Sequence, residues 1–233
     1  MLVNLIKDLQ KERNPKQAKL LQGFFKTGKG DYGEGDIFLG IKVPVTRAIS
    51  KKYTGLNLKN IGMLLRSKIH EYRLVGLLIL VDKFGKADEK GKGDVFNFYL
   101  KNSDRVNNWD LVDLTSHKIV GEFLKDKRRD KLYELAQSKN LWEKRISIIS
   151  CFAYIKNEDF KDALRISEIL LNDPHDLIHK AVGWVLREIG KKNQEVEERF
   201  LKKHYKNMSR TMLRYAIERF DEKLRQKYLK GEI

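Results

Sequence analysis

Asp113 stands four residues after Trp109, a spacing that on an α-helix puts carboxylate and indole on one face, one turn apart. Its neighbours Leu111, Val112 and Leu114 are apolar. A carboxylate in such a stretch carries a desolvation cost unless it is ion-paired, accepts backbone hydrogen bonds, or opens onto a cavity as an active-site acid does. A second set of residues suits phosphate: Arg73, Arg145, Lys180 and Arg214 recur at one or two steps of about 35 residues. A third pattern, His175-Asp176-Leu177-Ile178-His179, puts two imidazoles at i and i+4, superficially as in a zinc-protease helix. Asp replaces the longer Glu base, Asp173 and Pro174 look like N-cap and first helical residue, and no third ligand follows, so no metal and no cofactor are predicted. The glycines at 28, 30, 33 and 35 lack the terminal Gly-Lys-Ser/Thr of a phosphate-binding loop. They read as a connector, with Lys26 and Lys29 free to touch nucleic-acid backbone.

The elements that position these residues follow from an internal repeat. Five copies of a polar stub leading into a hydrophobic helix can be aligned, with register residues Arg73, Asp110, Arg145, Lys180 and Arg214 separated by steps of 37, 35, 35 and 34. Amphipathic segments such as 131–137 and 159–171 fall between them, so each repeat predicts an antiparallel helix pair. The expected fold is all-α, a HEAT-like α-α superhelix forming a single domain over 1–233, with N-terminal helices and the glycine loop in 1–60 and about five helical pairs in 61–233. In that architecture one register position forms a stripe along a concave groove, and four of its five residues are basic. Three residues further on, four copies carry Gly76, Ile148, Gly183 and Ile217, whereas the second carries Asp113. Residues 1–13 predict a leading helix, and Pro15 opens a second reaching about Lys26.

The chain of 233 residues has 48 Lys and Arg against 32 Asp and Glu, a formal net charge of +16. Such an excess favours a polyanionic partner, nucleic acid ahead of anionic membrane. Cys151, the single cysteine, sits in an apolar run and reads as a small core residue in a reducing compartment. Charge interrupts the N-terminal apolar stretch too early for a signal peptide, and the apolar run 74–81 is too short for a bilayer, so a cytoplasmic protein is expected.

Asn108-Trp109-Asp110-Leu111-Val112-Asp113, then Leu141-Trp142-Glu143-Lys144-Arg145, then Lys180-Ala181-Val182-Gly183-Trp184-Val185-Leu186-Arg187-Glu188 resemble, in order and spacing, the signature segments of the AlkD-like alkylpurine DNA glycosylases. Phe38-Leu39-Gly40-Ile41 with Pro44 is similar to that family's N-terminal segment, and the likeness spans roughly residues 15 to 225. The resemblance implies an active constellation of an Asp, an Arg and two Trp, falling here on Asp113, Arg145, Trp109 and Trp184. It also puts Phe24 where a family member carries tyrosine, which keeps the aromatic face and loses the hydroxyl.

What the resemblance implies is a DNA repair hydrolase of base excision repair, a monomer acting on double-stranded DNA that contains alkylated bases. Alkylation at N3 of adenine or N7 of guanine makes the base a cationic leaving group. The enzyme must then supply negative charge near C1′ and a positioned water, both within reach of one carboxylate. Asp113 takes that role, with Trp109 and Trp184 flanking a cationic sugar and Arg145 and Arg187 holding phosphates. Arg73, Lys180, Arg214, Phe24 and Lys26 extend the DNA contacts. Trp142 reads as core. The alternatives are a non-catalytic DNA-structure-binding repeat protein, which would keep the groove and lose the chemistry, and a HEAT-like protein scaffold, which predicts an apolar groove.

Overall fold

Side-chain caps set many of the helix starts. Asn14, Asn57, Asp88, Asn140, Asn193, Ser209 and Asp221 each accept a hydrogen bond from a backbone N–H of the first turn they precede. In this computed structural model all residues from 1 to 233 are described, and they form two compact units, Met1–Thr115 and Ser116–Ile233.

The first unit comprises α1 (Leu2–Lys11), α2 (Pro15–Phe24), α3 (Val43–Lys52), α4 (Leu58–Leu65), α5 (His70–Lys86), α6 (Glu89–Lys101), a 3-10 turn at Ser103–Arg105, and α7 (Trp109–Ser116) up to its last residue. The second opens on a π-helical turn, His117–Gly121, and continues through α8 (Glu122–Leu124), α9 (Asp130–Ala136), α10 (Leu141–Ser150), α11 (Phe152–Ile155), α12 (Lys161–Ile169), α13 (Asp176–Lys192), α14 (Gln194–His204), α15 (Arg210–Ala216) and α16 (Glu222–Lys230), with 3-10 turns on either side of α15. The architecture is all-α, and the sole strand-like feature is an isolated bridge between Ile37 and Ile69. No helix is long and apolar enough to cross a membrane.

All five repeat copies begin helices, α5, α7, α10, α13 and α15. In the first unit α5 is the central helix: every residue from His70 to Leu80 is buried, and α3, α4 and α6 pack on it. In the second unit α13 has that place, contacted by α10, α12, α14 and α15. Burying a Leu or Ile side chain contributes about 1.5–3 kcal/mol, so these two helices anchor their units. Gly183 explains how α13 and α15 come so close, because a Cβ there would lie 2.5 Å from both the Met212 carbonyl oxygen and the Tyr215 Cβ. Cys151 is fully buried, and that burial pushes its thiol pKa up.

One boundary differs from expectation. Asp173 and Pro174 do not open α13; it begins at Asp176, with the His175 ring accepting from Leu177 N at 3.1 Å. Asp173 instead accepts from His175 N at 2.9 Å and pairs with Lys144 at 2.6 Å, so its carboxylate closes a turn before the helix rather than capping it.

Candidate active site

Trp109 is the first residue of α7 and Asp113 lies one turn on, and both are half-buried. The start of this helix is held from several sides. Asn108, fully buried, accepts from Trp109 N at 2.9 Å, and its amide reaches Asp36 at 3.4 Å. Asp110 accepts from Leu111 N at 2.9 Å through one oxygen and from His70 Nε2 at 2.8 Å through the other. His70 Nδ1 lies 3.1 Å from the same Asp36 oxygen to which Arg73 donates at 2.6 Å. Two acids and two bases thus share one buried cluster. Removing one partner from such a set costs about 3–5 kcal/mol, because it leaves a charge uncompensated.

The electrostatics agree with a charged His70. Burial opposes its protonation, but the Asp110 charge and the hydrogen bonds the ring donates to both acids outweigh it, and the pKa is pushed up to about 9. Burial likewise acts to raise Asp36, yet the His70 hydrogen bond and the Arg73 charge hold its carboxyl below the usual range.

Above this cluster runs an aromatic stack. Phe25 lies between Phe38 and Trp109 with ring centroids 5.0 Å from each, nearly parallel to the indole at 12°, and Phe38 stacks on the His70 ring at 4.5 Å. Each such contact is worth about 0.5–1.5 kcal/mol beyond burial. Phe24, 64% exposed, meets Trp109 edge-on at 5.9 Å. A cavity of about 280 Å³ opens beside the stack, with Leu21, Phe25, Phe38 and Pro44 among its walls and His70 and Asp110 at its polar edge. The loop that carries Asp36 and Phe38 is fixed by Glu71, a buried acid that accepts from Leu39, Gly40 and Ile41 N at 2.9, 2.8 and 3.2 Å.

In the second unit Trp184 of α13 is half-buried and packs on Phe152 at 4.7 Å, and the His117 ring meets Phe152 edge-on at 6.4 Å. Arg145 is 4% exposed and donates to the Leu177 carbonyl. Arg187 is half-buried and bonded to Glu218. Lys180 pairs with Asp176 at 2.7 Å, and Arg214 and Lys26 are exposed. Trp142 is buried.

The family model describing DNA alkylation repair enzymes matches residues 5–220. The chain belongs to that family. Among solved structures this DNA alkylation repair family member is similar to a predicted DNA alkylation repair enzyme from Enterococcus faecalis, at 16% identity and a TM-score of 0.69, covering 91% of this chain and 98% of the other. It is also similar to AlkD2 from Streptococcus mutans, at 18% identity and a TM-score of 0.56, covering 88% and 98%. At these identities the likeness speaks to the helical-repeat fold. The comparison with curated proteins gave no match.

The register stripe needs correcting at its N-terminal end. Arg73 is 3% exposed and bonded to Asp36 and the Ser67 carbonyl, so it is an interior cation rather than a phosphate contact. Asp110 and Arg145, at the same register, are also buried, whereas Lys180 is half-exposed and Arg214 exposed. The reason is local: α5 is covered by the Asp36 loop, and pairing across 37 residues of sequence has no periodic signature. Sequence reasoning also passed over His70, Asp36 and the Phe25–Phe38 stack. One signal was there to read, since Asp110 is the lone acid at a basic register position and so calls for a cation facing it. The histidine pair at 175 and 179 is accounted for locally, because His175 caps α13 and His179 Nε2 bonds the Asp173 carbonyl at 2.5 Å.

Proposed function

We propose that this DNA alkylation repair family member is a monofunctional DNA glycosylase that hydrolyses the N-glycosidic bond of cationic N3- or N7-alkylated purines in duplex DNA. The observation that supports this best is Asp113 itself, a half-buried carboxylate one turn along α7 from a Trp109 that is locked by its stack and its neighbours' hydrogen bonds. As the C1′–N bond breaks, its electron pair neutralises the base and positive charge develops on the sugar. A fixed carboxylate stabilises that charge and takes the proton of the water that adds to C1′. Trp109 offers its π-face to the same cation and excludes bulk water. Lys180, Arg187 and Arg214, with Lys26 and the Phe24 ring, would engage the DNA backbone around the lesion. Because the base leaves as a neutral group, little acid catalysis is required, and bulky adducts are tolerated if the backbone and sugar rather than the base are gripped. The protein is proposed to act as a monomer.

The net charge of +16 and the exposed Arg214 and Lys26 equally serve a second reading, a DNA-structure-binding protein without catalysis. One experiment separates the two. Duplex DNA bearing a single 7-methylguanine is incubated with wild type and Asp113→Asn, and free base and abasic sites are scored. Wild type is expected to release base, with the variant slower by about 10²-fold or more, the usual loss when a transition-state charge contact is removed. Equal release by both proteins removes Asp113 from the mechanism, and no release by either leaves the binding protein.

A further inference from the structure

Trp109 and Asp113 depend on where the first turn of α7 sits, and that turn has an unusual anchor. Asp110, between them in sequence, is gripped by His70 of α5 at 2.8 Å; Asn108, just before them, is tied to Asp36. Asp36 is in turn held by the other nitrogen of His70 and by Arg73. His70 is 2% exposed and sandwiched against Phe38, the ring that stacks on Phe25, which stacks on Trp109. One imidazole therefore meets the turn twice, through the Asp110 carboxylate and through the aromatic column that sets the indole plane.

We propose that His70 is a positioning residue for the hydrolysis, holding the first turn of α7 so that Trp109 and Asp113 face the scissile bond in the orientation the reaction needs. The inference rests on the glycosylase reading above. His70 touches no substrate; it acts through Asp110, Asp36 and the stack. A doubly protonated ring is required, because only the imidazolium donates from both nitrogens to two carboxylates. The charged groups facing it are Asp110 from α7, Asp36 from the loop between α2 and α3, and Arg73 on α5 itself, the first two favouring the cation and the third opposing it. Burial alone would discharge the ring, so the two acids are what keep it charged, with a pKa of about 9. A permanent structural pair would leave the rate indifferent to that proton.

The test is single-turnover release of 7-methylguanine from duplex DNA at saturating protein, from pH 7 to pH 10, for wild type, His70→Gln and Asp113→Asn. Gln keeps a hydrogen-bonding side chain of similar reach and removes the charge. The expected result is a His70→Gln rate about 10-fold to 100-fold below wild type at pH 7.5, with DNA affinity changed less than threefold, and a wild-type to variant ratio that collapses towards one above pH 9. The ratio cancels changes in the substrate itself. A folded His70→Gln protein within twofold of wild type at pH 7.5, or a ratio constant across the range, overturns the inference while leaving Asp113 in place. Should His70→Gln fail to fold, Asp110→Asn is read in the same way, and a wild-type rate that is flat from pH 8 to pH 10 overturns it without any variant. No release by wild type removes the glycosylase reading and this inference together, whereas loss in Asp113→Asn alone removes only the inference.

Discussion

Glu197 on α14 is a buried acid that the proposed chemistry does not use. Its carboxyl rests on the backbone of α13 at Gly190, where a Cβ would sit 1.6 Å from Glu197 Oε2, and its Oε1 has no hydrogen-bond partner. Burial, then the charge of Glu198, pushes its pKa up to about 9, against an opposing pull from Arg187. A group whose pKa is higher in the folded state holds its proton there longer than in the unfolded chain. Its contribution to stability is therefore full below about pH 4.5 and is lost steadily as pH rises towards 9, by about 1.4 kcal/mol per unit. Glu197→Gln is expected to flatten that slope and to gain roughly 1–3 kcal/mol over wild type at pH 8, an effect measured by urea unfolding of both proteins at pH 5 and pH 8. Parallel pH profiles for the two would contradict it. At the same scale Asp113 stands out as a candidate from one broken register position, because a desolvated carboxylate is costly wherever it falls. The burial of Arg73 and Arg145 had no such signal, because basic type and spacing do not say which way a side chain turns.

The elements repeat the sequence period closely, since each copy starts a helix and each start carries its own local chemistry, such as the Asn14 cap before Pro15 and the Asn140 cap before α10. Where two helices meet, however, the decisive residue is small rather than periodic. Gly183 is the case in point: replacing it with Ala would force α13 away from the Met212 carbonyl and from Tyr215. We expect Gly183→Ala to lower stability by about 1–3 kcal/mol, the range for overpacking a tight contact, despite its gain in helix propensity. Thermal unfolding of the variant decides this, and an unchanged or raised Tm would mean that the two helices yield. The glycine was visible in sequence as one of the small residues three places after the register; its partner helix was not, because packing across 29 residues is set by the stacking of whole pairs.

Over the whole molecule the net charge of +16 governs how it meets DNA. If four or so phosphates are neutralised on binding, affinity for an undamaged duplex should fall by about 10²-fold between 50 and 200 mM salt, as released counterions regain their entropy cost. Fluorescence anisotropy with a labelled duplex across that range measures the slope, and a flat response would dismiss a phosphate-tracking surface. Charge, helix period, cap residues and the single intruding acid are properties of nearest neighbours along the chain, and for that reason the all-α repeat could be read, and Asp113 singled out as a candidate, before any fold was known. The His70, Asp36, Asp110 and Arg73 cluster joins segments up to 74 residues apart in number, and each member is affordable inside the protein only because the others are there. Desolvation makes such a set all-or-none, so it exists only once the helices have packed, and tertiary structure alone decided it.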